Sequence, residues 1–166
     1  AGINPGSLRQ AKQRYKDQSN KNFAEVNALL PNGNIKQIGP LETLAEDLMI
    51  ATKTATGSRN SAPGLATLEP ILKDFSEGIL DWNALRTLRT QLMADTRNSV
   101  ASGATSQSQK NEIKRVIGAI TEVLDDHVGS FGDEALETSY KTANTFVRKN
   151  MDKMSGPIAY IDNILN

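Results

Sequence analysis

The chain has 166 residues, a length that suits one domain with room for a substantial core. Apolar residues make up 38% and aromatics 5%, so the core must come from Leu, Ile, Val and Ala, as in helices packed through aliphatic seams. The 19 Lys and Arg balance 19 Asp and Glu, which removes any global bias toward nucleic acid or acidic substrates, and the lack of cysteine excludes a disulfide scaffold and Cys-ligated zinc.

No run approaches the roughly 18 apolar residues that a membrane-spanning helix needs, and the start carries no secretory signal pattern. Residues 1–6 read as a loop broken by Pro5-Gly6, with Ser7 able to cap a helix that begins at Leu8. Leu8, Ala11, Tyr15, Val26 and Leu30 fit one helical seam, although KDQSNKN, from Lys16 to Asn22, contains no apolar residue. One helix to about Leu30, partly in solvent, is the reading; a kink in its middle is the alternative. Pro31-Asn32-Gly33-Asn34 breaks the chain, and 35–39 form a short connection. Pro40 suits a first helical turn, and Leu41, Leu44, Ala45, Leu48 and Met49 make a stripe running to about Ala55. GSRNSAPG, from Gly57 to Gly64, is the most loop-like piece and the natural place for a cleavable segment. Leu65 to Phe75 reads as a short helix closed by Gly78; Pro70 inside it suggests two turns rather than one element.

Asp81 to Met154 organises the rest as three amphipathic helices. Asp81 is a strong N-cap type, flanked by Leu80 and Leu85 at the positions of a hydrophobic staple. Trp82, Leu85, Leu88 and Leu92 continue the stripe, with Arg86, Arg89 and Arg97 placed largely off it. Ser99 to Ser108 is small and polar, a loop near Gly103 or two frayed helix ends meeting. Ile113, Val116, Ile117, Ile120, Val123, Leu124 and Val128 form a stripe with the 3.6-residue period, which predicts Ile117 and Ile120 at the centre of the core. Gly129 is the expected left-handed stop. The last helix opens after Gly132 with Asp133 and Glu134 in the favourable first turn, and it buries Leu136, Tyr140, Ala143, Val147, Met151 and Met154. Gly156-Pro157 ends it. The fold class is therefore all-α: four long helices with one or two short ones, mostly antiparallel neighbours, in a single helical domain over 1–166.

Pro157 to Leu165 begins a further helix whose stripe is Ile158, Ile161, Ile164 and Leu165, an apolar face expected to bind a partner. IAYIDNIL at position 158 repeats the pattern of FAEVNALL at position 23, a separation of 135 residues. Tyr15-Lys16 and Tyr140-Lys141 add a second echo. Together with the missing initiator Met, this suits a fragment of a longer or repeated protein, although chance likeness between two amphipathic helices explains it as well.

Signals for chemistry are sparse. His127 follows Asp125-Asp126, but sequence neighbours diverge on a helix, so it reads as a dipole-favoured surface residue rather than a metal ligand. There is no GxSxG elbow and no phosphate-binding loop. Glu122, Asp125, Asp126, Asp133, Glu134 and Glu137 crowd one region without Lys or Arg among them. They suit a solvated acidic end, or a docking face for a basic partner, better than a catalytic pair. Arg9, Lys12, Arg14, Lys16, Lys21 and Lys36 early, and Lys141, Arg148, Lys149 and Lys153 late, can contact phosphates. Aromatic interleaving is sparse, so solvated helix faces are preferred to a nucleic-acid site. No catalytic, cofactor or metal residue is nominated, and no metal or cofactor is expected to be required.

Three segments in order carry a family resemblance: DWNALRTLRTQLMADTRNSV at Asp81–Val100, the Ile113–Val128 stripe ending in Leu-Asp-Asp-containing turns, and Tyr140-Lys141-Thr142-Ala143. This order resembles helical segments of very large virion proteins of tailed bacteriophages, of the internal virion, genome-ejection and tape-measure-like kinds. The resemblance spans about half the chain. It implies a non-catalytic structural module, located in the virion, that packs against copies or neighbouring subunits. Some such proteins carry a transglycosylase domain elsewhere; nothing here matches that site, so no activity carries over. The alternative is a helical protein-binding module of a bacterial effector or regulator, in the bacterial cytoplasm, docking through its acidic end. An enzyme is the third reading.

Overall fold

The computed structural model describes residues 5–52, 63–102 and 106–154. They form six helices: α1 (Pro5–Leu29), α2 (Gly39–Thr52), α3 (Pro63–Ser76), α4 (Trp82–Ser102), α5 (Gln107–Gly129) and α6 (Glu134–Met154). The fold is all-helical. Among the described residues the only β pairing is an isolated antiparallel bridge between Asn34 and Asp81. The chain divides into two compact units, one holding α1 and α6 and the other running from Asn32 to Phe131.

In the unit from Asn32 to Phe131, α5 is the hub: α2, α3 and α4 each pack on it, and α2 also packs on α3. The reason is its stripe. Val116, Ile120, Val123, Leu124 and Val128 are all buried, and a 23-residue helix is long enough to offer several neighbours that surface. Ile120 is fully buried, whereas Ile117 is only half-buried, so the core centres on Ile120 and Val123 rather than on Ile117. The helix starts with a capping box. Ser106 Oγ accepts from the Gln109 N–H at 3.2 Å, and Gln109 Oε1 accepts from the Ser106 N–H at 3.4 Å.

Its end departs from expectation. Gly129 belongs to the helix, Ser130 closes it in a right-handed conformation, and the left-handed residue is Gly132, at φ 60°. His127 is not a surface residue either. Its ring is buried, with Nε2 2.7 Å from the Asn32 carbonyl and its edge or face against Phe131, centroids 5.1 Å apart.

Asp81 caps α4 as its residue type predicts, with Oδ2 accepting from the Ala84 N–H at 3.0 Å, and both Leu80 and Leu85 are buried. Trp82 is fully buried and donates from Nε1 to the Leu124 carbonyl at 3.3 Å, which ties the start of α4 to α5. Arg89 lies on the buried face, not off it, at 7% exposure. It follows Trp82 by seven residues, two helical turns, and therefore sits beneath it on the same face. The helix runs on through Ser102, into the small polar stretch that begins at Ser99, and 103–105, where the loop was expected, lie outside the described residues.

Pro70 does not divide α3, which is continuous from Pro63 to Ser76. Pro70 and Ala66 are both exposed, so the carbonyl that loses its helical partner is on the solvent side. Pro63 and Gly64, expected in the preceding loop, form the first turn of this helix, and 53–62 lie outside the described residues. Gly64 is buried and its N–H donates to Glu112 Oε1 of α5 at 2.7 Å. A carboxylate 48 residues away thus satisfies one of the orphan N–H groups of α3. On α2, Leu41, Leu44, Ala45 and Leu48 are buried, but Met49 is 48% exposed, one residue past the stripe. The connection before α2 is part of the core. Ile35 and Ile38 are buried, the Ile35 N–H donates to the Leu80 carbonyl at 2.9 Å, and the Trp82 N–H donates to the Gly33 carbonyl at 2.7 Å.

In the other unit, α1 and α6 pack along each other. Phe23, Val26, Leu136, Tyr140 and Ala143 are buried. The polar middle of α1 does not interrupt it: the helix is continuous from Pro5 to Leu29, so Ser7 lies inside its first turn rather than capping a helix that begins at Leu8. Ser19 fills the seam where no apolar residue stands, and is buried. Asp133 caps α6, with Oδ1 accepting from the N–H groups of Ala135 at 3.0 Å and Leu136 at 3.2 Å.

Candidate interaction surface

The α1–α6 pair carries two surface features that packing alone does not require. The first is a wide, open groove of about 900 Å³ at the end where α1 finishes and α6 begins. Its lining mixes Ala28, Leu29 and Ala135 with the polar Asn22, Glu25, Glu134, Thr138, Ser139 and Thr142. The small side chains keep it shallow, and Leu29 is left 41% exposed. The second is charge segregation. Beyond the groove, where Tyr15 meets Phe146 with ring centroids 6.2 Å apart, the surface is basic. Arg9, Lys12, Arg14 and Lys16 of α1 stand with Asp17 as the one acid of that stretch, and α6 adds Arg148 and Lys149, while Lys21 and Lys141 lie between the two ends, four residues from Glu25 and Glu137. The groove end carries Glu25, Asp133, Glu134 and Glu137. A net-neutral chain therefore holds a helix pair with opposite signs at its two ends.

A smaller cleft of about 290 Å³ lies in the other unit, beside His127, between the end of α5 and the connection after α1. Lys36, Gln37 and Asp126 line its mouth, and Ser130 Oγ donates to the His127 carbonyl at 2.7 Å. The His127 imidazole is engaged with Asn32, so it works as a clamp between chain segments. On α4, Arg89 Nη1 donates to Thr121 Oγ1 at 3.5 Å, and Arg86 is held by Asn83 Oδ1 at 3.3 Å. Burial, and after it the like charge of Arg89, lower the Arg86 pKa below the ordinary guanidinium value. Arg89 thus ties α4 to α5 through a polar contact in a largely apolar seam, while the bond of Arg86 to Asn83 stays within α4.

The six acids predicted to form one acidic end divide between the units. Glu122, Asp125 and Asp126 are exposed on the last turns of α5, while Asp133, Glu134 and Glu137 start α6. Among the described residues, no three His, Asp or Glu side chains converge in a way that could hold a metal ion, and no helix is long and apolar enough to cross a membrane. The expected partner-binding stripe, Ile158, Ile161, Ile164 and Leu165, lies outside the described residues. The groove was not legible in the sequence, because its floor is made of small residues contributed by helices more than 100 positions apart. The basic cluster was legible as a count, though not its position at one end of a helix pair. The chain matches no protein-family model, no curated protein and no solved structure.

Proposed function

We propose that the chain is a non-catalytic structural module that packs against copies of itself, in the manner implied by its resemblance to tailed-phage virion proteins. Its place would then be the virion. The observation that carries this reading is the open groove on α1–α6, in which Ala28, Leu29 and Ala135 are exposed. The exposed Ala28, Leu29 and Ala135 let another chain approach closely, and the polar Asn22, Thr138, Ser139 and Thr142 that share the lining offer it hydrogen-bonding groups. The four longer helices, of 21 to 25 residues, supply the extended rigid faces that such packing uses. A second reading, a protein-binding module docking a basic partner, draws on the exposed Glu122, Asp125 and Asp126 of α5.

Sedimentation velocity over a rising concentration series tests the first reading. Self-association that grows with concentration supports it. A strict monomer throughout overturns it.

A further inference from the structure

We propose that two copies pair side by side in opposite directions, the basic end of each α1–α6 pair lying against the acid-rimmed groove of the other. This rests on the self-packing reading and specifies its geometry. Arg14 and Glu25 lie on one continuous helix, 11 residues apart in sequence, which at 1.5 Å per residue is about 16 Å along the axis. That exceeds the roughly 8 Å Debye length of physiological salt, so Arg14 and Glu25 are screened from each other, whereas Lys21 and Lys141, about 6 Å along the axis from Glu25 and Glu137, partly offset the acidic end.

The groove cannot be filled by the basic end of its own helix pair, since both are fixed on the same two helices. A second copy supplies that end without restriction. Glu25 and Glu134 on the rim then face cations such as Arg14, Arg148 and Lys149, all five being exposed. Opposite directions satisfy both grooves at once, whereas end-to-end addition satisfies one per contact. A twofold arrangement is therefore the favoured solution, and it closes at two copies. Charge complementarity of this kind fixes register and partner more than raw affinity, so the contact should be salt-sensitive.

Three full-length variants test the pairing. The first is Glu25→Lys with Glu134→Lys, the second Arg14→Glu with Arg148→Glu and Lys149→Glu, and the third, Glu25→Gln with Glu134→Gln, removes charge without reversing it. Circular dichroism checks that each keeps its helices, and the neutral variant serves where a reversed one fails to fold. Sedimentation should give a wild-type dimer whose dissociation constant rises on going from about 0.1 M to 1 M salt, where the Debye length falls from about 10 Å to 3 Å. Each charge-reversed variant alone should dimerise about a hundredfold more weakly, the neutral variant less so, and an equimolar mixture of the two reversed variants should recover the dimer.

Association that ignores salt and all three variants overturns the pairing while leaving self-packing intact. Growth beyond two copies overturns the twofold arrangement. A wild-type chain that stays monomeric removes both. A monomer that binds a short labelled DNA duplex, and loses that binding in the Arg14→Glu variant, would assign the basic end to a nucleic acid instead.

Discussion

Replacing Gly64 by Ala should destabilise the unit from Asn32 to Phe131, even though alanine is the better helix former. An added Cβ would stand 2.7 Å from both Cγ and Oε1 of Glu112 and 2.9 Å from Leu48 Cδ1. Leu48 is buried at 4% exposure and has little room to yield. Glu112 can swing aside, but its carboxylate then leaves the Gly64 N–H that it accepts from at 2.7 Å. Losing a hydrogen bond to a charged group costs roughly 1.5–3 kcal/mol, and overpacking adds about 1–3 kcal/mol. The gain in helix propensity offsets up to about 1 kcal/mol. A net loss of roughly 1.5–5 kcal/mol follows, read from the midpoint of urea unfolding at unchanged slope. The double-mutant cycle with Glu112→Ala sharpens the test. Removing Glu112 also removes most of the clash, so the double variant should be more stable than the sum of the singles by about 1 kcal/mol or more. A Gly64→Ala chain as stable as the parent, or strictly additive effects, would refute the reasoning.

The other predictions concern the same unit. Ile120→Ala should cost roughly 2–5 kcal/mol because the side chain is fully buried, whereas exposed Lys114→Ala should stay within about 0.5 kcal/mol; equal denaturation midpoints would place the buried face wrongly. Asp81→Ala should lose about 1 kcal/mol with the cap on the Ala84 N–H, and Ser106→Ala a similar amount from the capping box, each checked by thermal melting. The single tryptophan, Trp82, is fully buried, so its emission should be blue-shifted and poorly quenched by acrylamide until unfolding; ready quenching in the native state would contradict its placement.

The elements that could be read from the chain are those where local chemistry and burial agree. The α5 stripe, the Asp81 cap and the acidic opening of α6 each combine a periodic apolar face with a residue suited to the helix end. The misses share a different cause. Ser19 lies on the α1 seam, four residues from Tyr15 and from Phe23, but a polar side chain hides the period, whereas Ile35 and Ile38 are buried because of where the chain passes. Arg89 looked polar and therefore exposed, yet its seven-residue offset from Trp82 puts it under the same neighbour helix. Gly64 looked like loop because its partner, Glu112, stands 48 residues away. Gly129 had the right residue type for a left-handed stop, but the turn falls at Gly132. As for the surface, charge could be counted but not located, since the two ends of α1–α6 exist only once Tyr15 meets Phe146.

Hydrogen exchange on the full chain, measured dilute and concentrated in low salt, tests the central claim most directly. The account predicts that concentration slows exchange along Asn22–Leu29 and Glu134–Thr142, and along the basic stretches Arg9–Lys16 and Phe146–Lys149, while α2 and α3 exchange alike at both concentrations. Exchange that is independent of concentration everywhere, or slowed only in α2 and α3, would contradict it.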